Sequence, residues 1–138
     1  MSWKEKMKEM GPANIMFLST DGATVNFIVV ADPVALSGTY NRKPQTRVGC
    51  PVVTTDGFVL FVCGKRTARK LASIEDKFKD HVINVTRHGV EGDTDTGYEV
   101  AVLSDAGLFK QLKAIAAKAF TEDALMEAIV DAEEVMKR

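Results

Sequence analysis

The chain is short of almost everything that chemistry at a metal or covalent centre needs. Its 138 residues hold two cysteines, Cys50 and Cys63, and two histidines, His81 and His88. Two lone thiols match no zinc-ligand spacing, and a disulfide is not expected in a chain read as cytosolic. Both cysteines are therefore expected to be small buried residues on strands, with no metal and no cofactor. No apolar run approaches the roughly 20 residues of a membrane span. The first ten residues, MSWKEKMKEM, lack the apolar stretch of a secretory signal. That places the protein in the cytoplasm, a host's cytoplasm if the chain is viral, with no membrane contact. Global charge is missing too: the formal net charge is −1, so no overall basic excess advertises nucleic acid.

What is present is an ordinary globular composition, 46% apolar and 27% charged, in a chain long enough for one real core. The charge is unevenly placed. Between Tyr40 and Gly89 stand ten Lys or Arg: Arg42, Lys43, Arg47, Lys65, Arg66, Arg69, Lys70, Lys77, Lys79 and Arg87. The same window holds four acids, whereas from Phe120 onward six acids face Lys137 and Arg138. The middle is basic and the end acidic.

Residues 2–10 carry Trp3, Met7 and Met10 on one helical face and are expected to dock on the core, stopped by Gly11-Pro12. NIMFLS and TVNFIVVAD read as strands around a TDG turn at 20–22. In the second strand Val25, Phe27 and Val29 share one face and Asn26, Ile28 and Val30 the other. Residues 33–49 read as a long polar loop, functional or mobile, whose centre TYNRKPQTR sets one aromatic among three cations. CPVVTTDGFVLFVCG is a β-hairpin about an Asp-Gly turn. KRTARKLASIEDKFKD then changes to a helical period, with Ala68, Leu71, Ala72, Ile74 and Phe78 on the apolar side. HVINVTRHG and TGYEVAVLS are the next strands. Ser104 or Asp105 opens a helix and Thr121 caps another. Leu108, Phe109, Leu112, Ile115 and Ala116 should pack on the strands. Leu125, Ile129 and Val130 form a second stripe, for intrachain packing, a homodimer contact or an acidic cover over the basic groove.

Short antiparallel strands with one helix between the third and fourth is the order of the OB-fold. The expected class is mainly β with helices: a five-stranded OB-fold barrel, a short N-terminal helix and two C-terminal helices. The boundaries are 1–104 for the nucleic-acid-binding domain and 105–138 for the helical extension.

Three chemistries fail on spacing. DTDTGY starts like a calcium loop, but Gly97, Tyr98 and Ser104 stand where an oxygen ligand, a glycine and a glutamate belong. CGKRT ends like a P-loop, but Val59 replaces the required glycine. A triad of His88, a cysteine and a carboxylate can be drawn in any chain of this composition. Single-stranded nucleic acid asks for cations on phosphates and exposed rings under bases, each stacked base being worth roughly 1–3 kcal/mol. The candidates are Arg42, Lys43, Arg47, Lys65, Arg66, Arg69, Lys70, Arg87 and His88 for the backbone, and Phe27, Tyr40, Phe61 and Tyr98 for the bases.

Gly64-Lys65-Arg66, Arg69-Lys70-Leu71, Thr86-Arg87-His88-Gly89, Gly92-Asp93-Thr94 and Tyr98-Glu99-Val100 occur in the order of a known pattern. Over residues 24–103 the chain resembles the bacteriophage-type single-stranded DNA-binding proteins with an OB-fold. The resemblance implies a non-enzymatic, sequence-tolerant protein that coats single-stranded DNA in replication, recombination or repair, with replication or recombination proteins as further partners. It implies that the GDTDTG run joins the last two barrel strands, with Asp93 and Asp95 fixing the turn. Two departures stand out. Relatives often carry a four-cysteine zinc cluster, of which Cys50-Pro51 is all that remains here. An acidic tail for partner proteins is replaced by Lys137-Arg138. The rivals are a structural or assembly module of a virus and a small flavin-binding split-barrel enzyme.

Overall fold

The computed structural model describes residues 3, 14–18, 20–40, 42–89 and 97–136. The helix expected over residues 2–10 (Trp3 apart), the GDTDTG run with Asp93 and Asp95, the Tyr40 side chain and Lys137-Arg138 lie outside the described residues. Among the described residues seven strands are formed: β1 Ile15–Met16, β2 Thr24–Val29, β3 Val34–Tyr40, β4 Lys43–Thr54, β5 Gly57–Cys63, β6 Val82–His88 and β7 Gly97–Leu103. Three α-helices of the described residues accompany them: α1 Lys65–Ala72, α2 Ala106–Ala119 and α3 Glu122–Met136. The architecture is mixed α/β. One seven-stranded sheet runs β1-β5-β4-β2-β6-β7, with β3 beside β4, and it does not close into a barrel.

Strand β2 is the hinge of the sheet. Thr24 to Phe27 pair with β6, while Ile28 and Val29 pair with β4. β4 is long enough to serve three neighbours. β3 lines one edge from Lys43 to Gly49, β2 takes the same edge at Val52 and Val53, and β5 takes the other edge. Pro51 falls in the gap between β3 and β2. Its carbonyl accepts from Val30 N at 3.0 Å.

The long polar loop expected over 33–49 is instead the β3–β4 hairpin. Its alternation is hidden because only Val34, Leu36 and Val48 are large and apolar. Leu36 is nonetheless fully buried, and the polar partners point out. Pro44 is tolerated near the tip, where β5 no longer runs alongside.

The two faces of the sheet carry separate cores. On the inner face Phe27, Cys50, Val52, Phe61, Cys63, Ile83 and Val85 pack with Leu71 of α1. On the outer face Ile28, Leu36, Val53, Phe58, Leu60, Val62 and Val82 pack with Leu112 of α2 and Ala128, Ala132 and Met136 of α3. The helices of 105–138 thus share the core of the sheet. Asp105 caps α2 by accepting from Leu108 N, and Thr121 caps α3 by accepting from Ala124 N, both at 3.0 Å. Leu125 and Ile129 pack inward as expected, but Val130 does not. It stands 58% exposed beside Met126, because the inward stripe runs through Ala128, Ala132 and Met136. Gly38 lets α3 approach β3: a Cβ there would meet the Cβ of Met136 and lie 2.9 Å from its carbonyl oxygen.

Candidate nucleic-acid interface

The site begins with α1. Gly64 ends β5 and caps the helix in an extended conformation, with no side chain on the free amides and no acid in the first turn. Thr67 and Leu71 face the core, so the 3.6-residue period turns Lys65, Arg66, Arg69 and Lys70 to solvent. The helix lies against both β4 and β7. Lys70 fixes that second contact by donating from Nζ to the Tyr98 carbonyl at 2.7 Å. Arg42 and Lys43 stand exposed at the β3–β4 tip. Arg42 holds φ 65°, a left-handed conformation that an arginine adopts at a cost. Arg47 is half-buried farther along β4, and its Nε is buried with no hydrogen-bond partner among the described residues.

Among the described residues, Arg42, Lys43, Arg47, Lys65, Arg66 and Arg69 have no hydrogen bond or ion pair from their side chains to the protein's own acids. The two ion pairs seen there involve histidine, one being His88 Nε2 to Glu99 Oε2 at 3.0 Å on the exposed end of β6 and β7. The acids of α3 pack on the other side of the sheet from α1. The acidic segment therefore does not cover the basic helix.

Several predicted contacts are relocated. Phe27 and Phe61 are 0% exposed, with ring centroids 5.8 Å apart in the inner core, so neither offers a face to a base. Each lies on a strand face that α1 seals. Arg87 is 9% exposed. It donates from Nη1 to the Leu18 carbonyl and the Tyr98 hydroxyl, and from Nε to the Gly89 carbonyl, at 2.9, 3.0 and 2.9 Å. Its guanidinium also stands 5.9 Å from the Tyr98 ring centroid. Arg87 and Tyr98 are thus a buried clasp joining the turn after β1 to β6 and β7, not free contacts for phosphate and base. Trp3, expected to dock on the core, is 86% exposed, and Phe17 is 38% exposed.

Sequence reasoning passed over one grouping. Cys50 and Cys63 Sγ lie 3.9 Å apart, both buried. The signal was available: the turn at Thr55-Asp56 sets Thr54 opposite Gly57, which puts Cys50 opposite Phe61 and Val48 opposite Cys63. Hydrogen bonding from the Cys50 thiol holds Cys63 below the ordinary thiol range, aided by the Arg47 charge and opposed by burial. The same hydrogen bond, then burial, pushes Cys50 up. Comparison with protein-family models, curated proteins and solved structures finds no match for this chain.

Proposed function

We propose that the protein is a non-enzymatic, sequence-tolerant single-stranded DNA-binding protein of OB type that coats the strand through phosphate contacts. The observation that carries this reading is the set of uncompensated cations on α1 and along β4, Arg42, Lys43, Arg47, Lys65, Arg66 and Arg69. Strand connectivity supports it. The run β5-β4-β2-β6-β7, with α1 inserted between β5 and β6, is the OB strand order left open at its last seam. The strained backbone of Arg42 supports it as well, since a glycine would suit that turn better and an arginine supplies charge.

With two phenylalanines sealed and Tyr98 tied to Arg87, affinity in this reading comes mostly from phosphates. Binding should therefore be strongly salt-dependent and nearly indifferent to base identity. Six phosphate contacts at about 0.7 each give a slope of about −4 in log affinity against log salt. Titrating labelled oligo-dT at two salt concentrations tests this; no binding at low salt would end the reading. One observation favours the rival assembly module: Met126 and Val130 are exposed side by side on α3. Discrete oligomers with no affinity for the oligonucleotide would select that reading.

A further inference from the structure

The nucleic-acid reading leaves the sulfur pair unused, and three observations meet there. Cys50 on β4 and Cys63 on β5 share the inner sheet face, with sulfurs in contact at 3.9 Å. Arg47, three residues before Cys50, keeps a buried Nε without a hydrogen-bond partner among the described residues. Buried donors are nearly always paired, so an orphan there calls for a reason; the charge of Arg47 acts on Cys63. Finally, Cys50 forms part of the wall of a cavity of about 130 Å³ between α1 and the ends of β2 and β4. Val29, Pro51, Leu71 and Phe78 are among its mostly apolar lining, which also includes Asp32 and Glu75, and a solute the size of peroxide fits inside.

We propose that Cys50 and Cys63 form an oxidisable dithiol, converted by a hydroperoxide that reaches the pair from the Cys50 side into a disulfide that ties β4 to β5 and is reopened by a thiol reductant. Cys63, as thiolate, attacks one peroxide oxygen. An S–O bond forms, the O–O bond breaks, and the departing hydroxide leaves as water with the proton Cys63 gave up. Cys50 then loses its proton and attacks the Cys63 sulfur. The S–S bond forms, the S–O bond breaks, and a second water leaves with that proton. Two thiols and one hydrogen peroxide become one disulfide and two waters: the sulfurs give up two electrons and the peroxide takes them. The scheme gives the first attack to Cys63, the sulfur on which the Arg47 charge acts. The hydrogen bond to the Cys63 thiolate holds the Cys50 proton, and that hold is lost once the Cys63 sulfur carries oxygen in place of charge. Bond closure needs about 1.9 Å of sulfur travel, from 3.9 Å to about 2.0 Å, and because Cys50 stands opposite Phe61, diagonal to Cys63, β4 and β5 must also shift toward each other there.

The test is intact-mass spectrometry of the full chain after one equivalent of hydrogen peroxide, with remaining thiols alkylated in denaturant. The expected product is a monomer that has lost two hydrogens, takes up no alkylating agent and is restored by dithiothreitol. Cys50→Ala should stop at a sulfenic acid on Cys63, trapped by dimedone, and Cys63→Ala should give no adduct. Arg47→Gln should slow the first step severalfold, because it removes a charge that favours the Cys63 thiolate. Two unreacted thiols at peroxide levels that oxidise a free cysteine peptide would overturn the proposal. So would disulfide-linked dimers as the sole product, or a dimedone adduct on Cys50 in Cys63→Ala. The wild-type mass decides the matter even where a variant fails to fold.

Discussion

Replacing Arg87 by alanine separates a structural arginine from a phosphate contact. In the folded chain its guanidinium serves the Leu18 and Gly89 carbonyls and the Tyr98 hydroxyl, all within 3.0 Å, at 9% exposure. Hydrogen bonds to a charged group contribute about 1.5–3 kcal/mol each, and acceptors left buried without donors cost more than the bond was worth. The terms do not add fully, because one side chain donates all three bonds. The expected loss is about 3–5 kcal/mol, a large part of the 5–15 kcal/mol of a typical domain. In a thermal melt this is a fall in Tm of about 10–20 °C. Tyr98→Phe removes the hydroxyl alone and should cost about 1 kcal/mol. Its effect should nearly vanish in the Arg87→Ala background, since the clasp is already open. The assay is calorimetry or circular dichroism on the four proteins, with oligo-dT affinity measured below each melting point. If Arg87→Ala leaves Tm within about 2 °C of wild type while oligonucleotide binding weakens tenfold, the clasp is misread and Arg87 belongs to the interface.

The other predictions concern the exposed cations and one tight approach. Mutating Lys65, Arg66 and Arg69 together to alanine should lower the salt slope from about −4 to about −2 with little change in melting temperature, because these side chains make no described contact; isothermal titration across a salt series reads it. Arg42→Gly should raise stability by up to about 1 kcal/mol by relieving the left-handed backbone, yet weaken oligo-dT binding, so melt and titration should move in opposite directions. Gly38→Ala should cost about 1–3 kcal/mol by pressing a methyl into the Met136 backbone. Hydrogen exchange should then rise at the Ser37 amide, which donates to Glu133 at 2.8 Å.

The elements legible in the sequence were those whose pattern repeats one period over its whole length. The β4–β5 hairpin and the caps Asp105 and Thr121 appear where local chemistry puts them, whereas the helical period expected through residue 80 ends at Ala72, which is exposed, with Ile74 and Phe78 beyond the helix. The β3–β4 hairpin did not show, because Gly38, Pro44 and a run of polar residues blur its alternation. Its burial comes from α3, nearly a hundred residues away. At the candidate site the cations of α1 were readable as exposed, since a helical period with Leu71 inward leaves them no other direction. The aromatic assignments were not. Phe27 and Phe61 lie on strands apolar on nearly both faces, and which face meets α1 and which meets α2 and α3 is decided by tertiary packing. Arg87 looked like one more cation in a basic window; only the fold brings Leu18 and Tyr98 to its guanidinium.

In the proposed reading, that packing also decides where a nucleic acid would lie. OB-type binders use the outer surface of the second and third strands, which under that reading would be β4 and β5. In this chain that surface is the bed of α2 and α3: Val53, Phe58, Leu60 and Val62 are sealed beneath them. α3 also brings Glu122, Asp123, Glu127, Asp131, Glu133 and Glu134 to that side; against Lys110, Lys113 and Lys118 of α2 the two helices keep a net negative charge, six acids to three lysines, that disfavours phosphate. The inner side carries the opposite sign, because α1 must turn its polar flank outward to bury Leu71, and that flank is basic. The charge blocks of the sequence, basic in the middle and acidic at the end, thus become the two sides of one sheet. A strand bound as proposed would be steered to the α1 side, over Lys65, Arg66 and Arg69, with Arg42 and Lys43 on the β3–β4 hairpin as a second anchor. Stripping α3 of its acids should therefore speed association at low salt without altering the salt slope of the bound state, whereas stripping α1 alters both.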